Sequence, residues 1–407
     1  MPKTQSQPKN WQKMKFKDFA NTSPSVKLER GKEYPFIPME VLDGQHKFPF
    51  EVRHKSFSGG GSKFANGDTI FARITPCLEN GKIARVEDLE DGVGFGSTEF
   101  FVFRGKDGVS DSDFVYYLSR TDTIRDPAVK SMVGASGRQR ADKGVVDNVQ
   151  VLAPSLSQQK KIADVLSAYD DLIENNTKRI KILEEIAQAI YKEWFVYFRF
   201  PGHEKAKSRS ERSSATGIKM IDSKTEFGKI PEGWEVKKIK DVFDVKYGKN
   251  LPTSKIEDAG KYPVYGAGGV IGFYDEQNSN GKVALITCRG NGSGTVWRTR
   301  GLGFVTNNSF VVRQKEEYGH VSFETIYFAL KEANVDSAIS GSAQPQITIE
   351  SLNFVNVLLP EENLLKSFQH IIKTNFDLID SLFIENQNLC KARDLLLPKL
   401  VSGEIRV

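Results

Sequence analysis

Two short loops in this chain carry side chains suited to reading the edge of a base pair. Gly134-Ala-Ser-Gly-Arg-Gln-Arg140 and Ser340-Gly-Ser-Ala-Gln-Pro-Gln346 each precede a β-like run, and they stand 206 residues apart (340 − 134). An arginine can donate two hydrogen bonds to guanine, an asparagine or glutamine can pair with adenine, and a lysine neutralises phosphate. Residues of these types recur beside glycines, where backbone can approach a groove. The first half offers Arg53, Lys55, Lys63, Arg73, Asn80, Lys82, Arg138, Gln139, Arg140 and Lys143. The second offers Lys249, Asn250, Arg289, Asn291, Arg298, Arg300, Asn307, Asn308, Gln344 and Gln346. Any one of them taken singly reads better as a solvated surface residue than as a base reader; the signal is collective. Different side chains on a shared scaffold suggest two related readers of two different sequences.

Other chemistry finds little support. Gly266-Ala-Gly-Gly-Val-Ile-Gly272 departs from the dinucleotide fingerprint: its third glycine comes one residue late, and Phe273-Tyr274-Asp275 follows in place of a helix. A tight turn between strands is the better reading. Gly290-Asn-Gly-Ser-Gly294 and Gly59-Gly-Gly61 lack the Lys-Ser/Thr of a phosphate loop. No Asn/Asp-Pro-Pro-Tyr/Phe motif of an amino-methyltransferase occurs. The five histidines are scattered without metal-ligand spacing, so no metal site is expected. Asp170-Asp171 and Glu184-Glu185 read as solvated flanks of a helix seam rather than an acid–base pair. Cys77, Cys288 and Cys390 are odd in number and widely spaced, which points to reduced thiols and a cytoplasmic setting. The net charge of +5 is compatible with nucleic acid without demonstrating it. No apolar run reaches the ~18 residues of a membrane span, and the polar start of the chain lacks a signal-peptide core.

The elements that must position the loops repeat. Asp171-Leu172-Ile173 recurs as Asp377-Leu378-Ile379, again at an offset of 206 (377 − 171). Trp11 and Trp234 each open a Gly-rich globule of mixed α+β character. A long helix follows each globule. Ser155-Leu-Ser-Gln158 fits a capping box for the first. Its seam then recurs at steps of four and three, apolar at every position but Asn176: Ile162, Leu166, Tyr169, Ile173, Asn176, Ile180, Leu183, Ala187, Ile190, Trp194. That is a coiled-coil seam, predicted to run to about Tyr197 and end at Pro201-Gly202. The second seam is Phe368, Ile372, Asn375, Ile379, Leu382, Asn386, Leu389, Arg393, Leu396, with Pro398 as its stop. A lone helix of this length cannot bury such a seam, and the simplest partner is the other copy, antiparallel. The globules would then sit at opposite ends of a rod. Asn176 and Asn386 allow two readings: buried residues that fix register, or solvent-facing irregularities. Trp194 likewise either closes the seam or, with Phe195, offers exposed aromatic rings to a partner.

Several stretches resemble the specificity subunit of type I DNA restriction–modification systems. They are Gln159-Lys-Lys-Ile-Ala-Asp-Val-Leu-Ser-Ala-Tyr-Asp-Asp-Leu-Ile-Glu174, Ala187-Gln-Ala-Ile-Tyr-Lys-Glu-Trp-Phe195, Ile230-Pro-Glu-Gly-Trp234, Tyr262-Pro-Val-Tyr-Gly-Ala-Gly-Gly-Val-Ile-Gly272 and Leu396-Leu-Pro-Lys-Leu-Val-Ser-Gly-Glu-Ile-Arg406. The resemblance implies two α/β target-recognition domains, each reading one half of a bipartite double-stranded DNA site, separated by two long helices in an antiparallel coiled coil. The expected order is 1–154 first recognition domain, 155–200 first helix, 201–230 linker, 231–360 second recognition domain, 361–407 second helix and tail. It also implies a non-catalytic chain that docks two methyltransferase subunits and is joined by restriction subunits. S-adenosylmethionine, ATP and Mg would belong to those partners, with no cofactor here. The repeat fades after Trp194, since Tyr197-Phe-Arg-Phe200 has no counterpart, so the two docking sites are expected to be unequal. The rival reading is a coiled-coil scaffold whose globules bind protein. A fused enzyme ranks third because methyltransferase and nuclease motifs are absent.

Overall fold

The structure is a computed structural model that describes residues 11–135, 137–202, 219–257 and 260–407. The described residues of Met1–Arg179 with Leu382–Val407 form one compact unit, and those of Ile180–Ser381 form the other. The boundary falls inside both long helices, Leu156–Phe195 and Glu362–Val401.

The two units share a topology. In the first, a sheet runs in the order Ala20–Asn21, Phe100–Gly105, Thr69–Ala72, Ile83–Arg85; in the second, Phe243–Tyr247, Ser309–Gln314, Ala284–Thr287, Val296–Arg298. A further sheet in each centres on one strand with an antiparallel and a parallel neighbour. Glu33–Ile37 lies between Arg53–Ser56 and Val93–Gly96. Tyr262–Tyr265 lies between Val270–Tyr274 and Phe304–Val305. One helix packs on each first sheet, Ser112–Arg120 and Phe323–Glu332. Asp111 caps the former by accepting from Asp113 and Phe114 N–H, both at 3.0 Å, and Ser322 caps the latter from Thr325 N–H at 3.4 Å. Such caps satisfy donors that the first helical turn leaves unpaired. The strands are legible because they alternate or run continuously apolar, as in Phe100-Phe-Val-Phe103. The Gly266 region is the expected turn: Gly266 N–H donates to Gly269 O at 2.8 Å between paired strands.

Within each unit the helices pair antiparallel. In the first, Asn386 Nδ2 donates to Ile173 O and Thr177 Oγ1 at 3.2 Å, and Arg393 meets Asp170 at 2.5 Å. Residue numbers rise on one helix as they fall on the other. In the second, Tyr191, Trp194 and Phe195 all pack on Phe368, with centroids 4.9–6.0 Å apart. The 206 register survives in the packing: Ile162, Leu166, Ile173 and Ala187 are buried, as are Phe368, Ile372, Ile379 and Arg393. Each fully buried apolar side chain of this size contributes roughly 1.5–3 kcal/mol.

Asp170 corrects an expectation. It is 2% exposed rather than solvated, and Tyr117 OH donates to it at 2.6 Å. Its partner Arg393 is fully buried and also donates to Gln45 O at 2.6 Å. Burial, then the Asp170 charge, pushes the Tyr117 phenol well above its ordinary range, so it remains a donor. Asp170 takes the inward position that spacing gave to Tyr169, which is only half-buried. Of the asparagines, Asn176 is buried and Asn386 is half-buried. At the 206 offset they align with Leu382 and Ile180, so they are not each other's counterparts.

Two helix ends and one cap also differ. The first helix ends at Phe195, ahead of Pro201-Gly202, because Phe198 takes a left-handed φ of 58° that a helix cannot hold. The second continues through Pro398 to Val401; proline there removes the i+4 donor to the carbonyl of Asp394, an exposed residue. The capping box at Ser155 is half formed. Gln158 N–H reaches Ser155 Oγ at 3.4 Å, but the glutamine side chain accepts from that hydroxyl instead of from backbone. Of the expected 201–230 linker, 203–218 lies outside the described residues. Beyond it, Met220–Asp222 pairs with Lys229–Pro231 as a small ladder.

Candidate nucleic-acid interface

In each unit the loops meet at one end of the first sheet, held by the same four backbone hydrogen bonds. In the first unit, Arg73 N–H donates to Glu99 O (3.0 Å), Ala141 N–H to Arg73 O (2.8 Å), Thr75 N–H to Gln139 O (3.0 Å) and Ala72 N–H to Lys82 O (3.0 Å). In the second, Cys288 N–H donates to Asn308 O (2.9 Å), Ile347 N–H to Cys288 O (3.0 Å), Gly290 N–H to Pro345 O (3.0 Å) and Thr287 N–H to Thr295 O (3.0 Å). The equivalences follow directly: Arg73 with Cys288, Glu99 with Asn308, Gln139 with Pro345, Arg140 with Gln346. An isolated bridge joins Ile74 to Arg140 and, at the matching place, Arg289 to Gln346. Gly290 has a left-handed φ of 86°, which glycine adopts without strain.

The side chains on this common frame differ. Arg140 clamps Glu99 from the side, Nη2 to Oε1 at 2.7 Å and Nε to Oε2 at 3.0 Å. Arg73 Nε reaches the same carboxylate at 3.2 Å while its guanidinium lies 5.6 Å from the Phe101 ring. The hydrogen bond from Arg140, then that from Arg73, holds the Glu99 carboxyl below its usual range. The second unit has no charged cluster at those three positions: Cys288 is buried, and Asn308 and Gln346 are exposed amides. Around them, Lys249 N–H donates to Val305 O at 2.9 Å and Asn307 N–H to Lys249 O at 3.1 Å, which brings Lys249 and Asn307 into the same array. Asn250, Arg289, Asn291 and Gln344 are exposed in adjoining loops.

The other sequence candidates of the first unit divide. Arg138 and Asn80 are exposed near the frame. Lys82 donates to Met39 O at 3.0 Å, and Lys143 is held by Asp147 at 2.7 Å and Thr22 at 2.9 Å. Arg53, Lys55 and Lys63 lie on the other sheet. Arg53 pairs with Glu40 at 2.9 Å, Lys55 sits 5.0 Å from the Phe36 ring and Lys63 5.1 Å from the Phe57 ring.

Four candidates are not displayed as expected. Arg298 is 8% exposed, lies 2.9 Å from Asp380 of the second long helix and 4.5 Å from the Phe376 ring. Arg300 joins Asp380 at 3.3 Å. Both close on a helix because strand Val296–Arg298 is the sheet edge facing it, and a spacing rule cannot tell that edge from a loop. Trp194 and Phe195 are 7% and 3% exposed, so they are not exposed rings. Trp194 closes the seam on Phe368, and Phe195 packs on Phe368 and Trp234. Phe198 and Phe200 of the unmatched segment also lie against Trp234, at 5.4 and 5.8 Å. Glu99 is a site residue that the spacing does not reveal: the 206 register sets it against Val305, and only the backbone hydrogen bonds match it with Asn308. No group of metal-ligating side chains occurs among the described residues.

Duplicated α/β modules that present different polar side chains on one backbone frame, each joined to paired helices, define a two-part sequence-reading protein. The profile of the type I restriction modification DNA specificity domain matches residues 8–185 and 231–390, and the chain belongs to that family. It is 27% identical to the type I restriction enzyme MjaIX specificity subunit of Methanocaldococcus jannaschii, over 98% of this chain and 94% of that one. It is 24% identical to the HindI specificity subunit of Haemophilus influenzae, over 83% and 86%. The crystal structure of a type I restriction–modification S subunit from M. genitalium superposes with a TM-score of 0.51 at 18% identity, covering 98% of both chains, and shares the fold.

Proposed function

We propose that each loop array reads one half of a bipartite DNA target, and that the chain directs methyltransferase and restriction subunits there without catalysing a reaction. The observation that carries this reading is the matched four-bond frame with unmatched side chains. In this reading the recognition domains are 1–154 and 231–360, and the side chains that contact DNA include Arg73, Arg138, Gln139, Arg140, Lys249, Asn250, Arg289, Asn291, Asn307, Asn308, Gln344 and Gln346. S-adenosylmethionine, ATP and Mg act on the partner subunits. Among the described residues no helix is long and apolar enough to cross a membrane, which fits a cytoplasmic complex. For docking of two methyltransferases, the buried Trp194 and Phe195 give way to the exposed helix face. Leu172 and Leu378, one 206-residue step apart, are 50% and 39% exposed.

The test exchanges residues 231–360 for those of another family member and sequences the methylated motif in cells that hold the cognate methyltransferase. One half of the motif should change and the other persist. A change in both halves rejects the modular reading. A protein-binding scaffold would instead show no salt-dependent affinity for duplex DNA.

A further inference from the structure

We propose that Glu99 is a positioning residue that presents Arg140 to a guanine, so that the first unit's half-site holds a G·C pair where the second unit's holds an A·T pair read by Gln346 and Asn308. This rests on the reading above and adds to it the base pair at one position of each half.

A guanidinium has two usable edges. Glu99 occupies the Nε–Nη2 edge of Arg140, at 3.0 and 2.7 Å. The Nη1–Nη2 end then presents two parallel donors; among the described residues the hydrogen bond recorded at Nη1 is the long 3.4 Å approach to Arg138 O. Two parallel donors match guanine O6 and N7, the commonest specific contact in a major groove. A carboxylate near a polyanion is otherwise unfavourable, so its place here needs a reason. Fixing the arginine rotamer supplies one: a long side chain already ordered loses less freedom on binding. Arg73, reaching the same carboxylate at 3.2 Å, orders Glu99 in turn. Glu99 stays accessible, with its side chain 18% exposed, and so does Arg140 at 45%.

The second unit provides the contrast within one molecule. Asn308 stands where Glu99 does and Gln346 where Arg140 does, on matched backbone hydrogen bonds of 2.9 and 3.0 Å. Both are exposed amides, the side-chain type whose donor and acceptor match adenine N7 and N6. A buried thiol, Cys288, replaces Arg73, so no charge remains to be ordered.

The experiment selects ligands for the full-length chain from a randomised double-stranded DNA library. The wild type should return a two-part motif. Glu99→Asn with Arg140→Gln should turn one G·C position into A·T in one half only. The converse pair, Asn308→Glu with Gln346→Arg, should act on the other half. Glu99→Ala should flatten that G·C position by roughly 5- to 150-fold in preference, with an unchanged melting curve, and Glu99→Asp should restore part of it. If Arg140→Gln instead weakens all sequences alike and lowers the salt slope by about one, Arg140 contacts phosphate and the inference is overturned. A two-part motif unaltered by any of these variants also overturns it while leaving the two-reader function intact. A wild type that selects no motif rejects that function itself.

Discussion

Asp170 and Arg393 meet 2.5 Å apart, wholly enclosed, in the seam between the two long helices. At the 206 offset the corresponding residues in the other unit are Phe376 and Ala187, both buried, so where one unit has an ion pair the other has two apolar side chains. Breaking a buried pair strands a charge and costs about 3–5 kcal/mol, whereas replacing both partners can be far milder. Arg393→Ala should therefore destabilise the chain by that order. Asp170→Phe combined with Arg393→Ala, which installs the other unit's solution, should recover part of the loss. Denaturant midpoints of the two single variants and the double variant decide it; simple additivity would sink the idea.

Arg298 offers a second test of placement. Because its guanidinium serves Asp380 and not a groove, Arg298→Gln should lower the melting temperature and leave the selected DNA motif as it was. Arg289→Ala, at an exposed loop position, should do the opposite: no change in melting, weaker binding and a salt slope reduced by about one. A changed motif in the Arg298 variant would return that residue to the interface.

Asp113 sets an acid limit. Burial alone would raise its carboxyl, but Arg85 and then Lys47 outweigh that and hold it below its ordinary value. A depressed folded value means the stabilisation is complete above the unfolded carboxylate range, about 3.9, and is lost as pH falls through the lower folded value. Melting temperatures of wild type and Asp113→Asn should differ at pH 6, and the gap should start to narrow as pH falls below about 4. A gap that is constant from pH 6 to 3 would count against the ion pairs.

Methyltransferase docking should respond to the exposed helix face. Leu172→Glu and Leu378→Glu should leave the melting curve in place and reduce co-elution with the methyltransferase in gel filtration. Trp194→Ala, a core truncation, should cost about 3–5 kcal/mol of stability first. Full assembly by the double leucine variant would move the docking surface elsewhere.

Much of this architecture was legible in the sequence. The Asp-Leu-Ile repeat and the four-three spacing from Ile162 onward report the helices directly, because a seam leaves a period that loops do not. The antiparallel pairing followed from needing to bury that seam twice. Asp170 was not legible, since its burial depends on Arg393, 223 residues away, and on Tyr117 of a globule helix. Nor was the fate of Arg298 and Arg300, which is set by a sheet edge meeting a helix. The loop register did set Arg140 and Gln346 at equivalent positions of the two copies, but Glu99 emerged only from the contacts that place it beside Arg140.

The frame that holds the reading loops is made of main chain alone, and that has a consequence for how targets can change. A position that donates in this frame excludes proline, which has no N–H. A position that only accepts does not. Pro345 occupies an accepting position, where the other unit has Gln139. Proline at 75 or 290 should therefore collapse the array, and proline at 139 should be borne. The frame itself sets no requirement on the side chain at an accepting or outward position. A new target can thus arise one substitution at a time, each altering what is read while the protein that reads it stays folded and its helices stay fit for their partners.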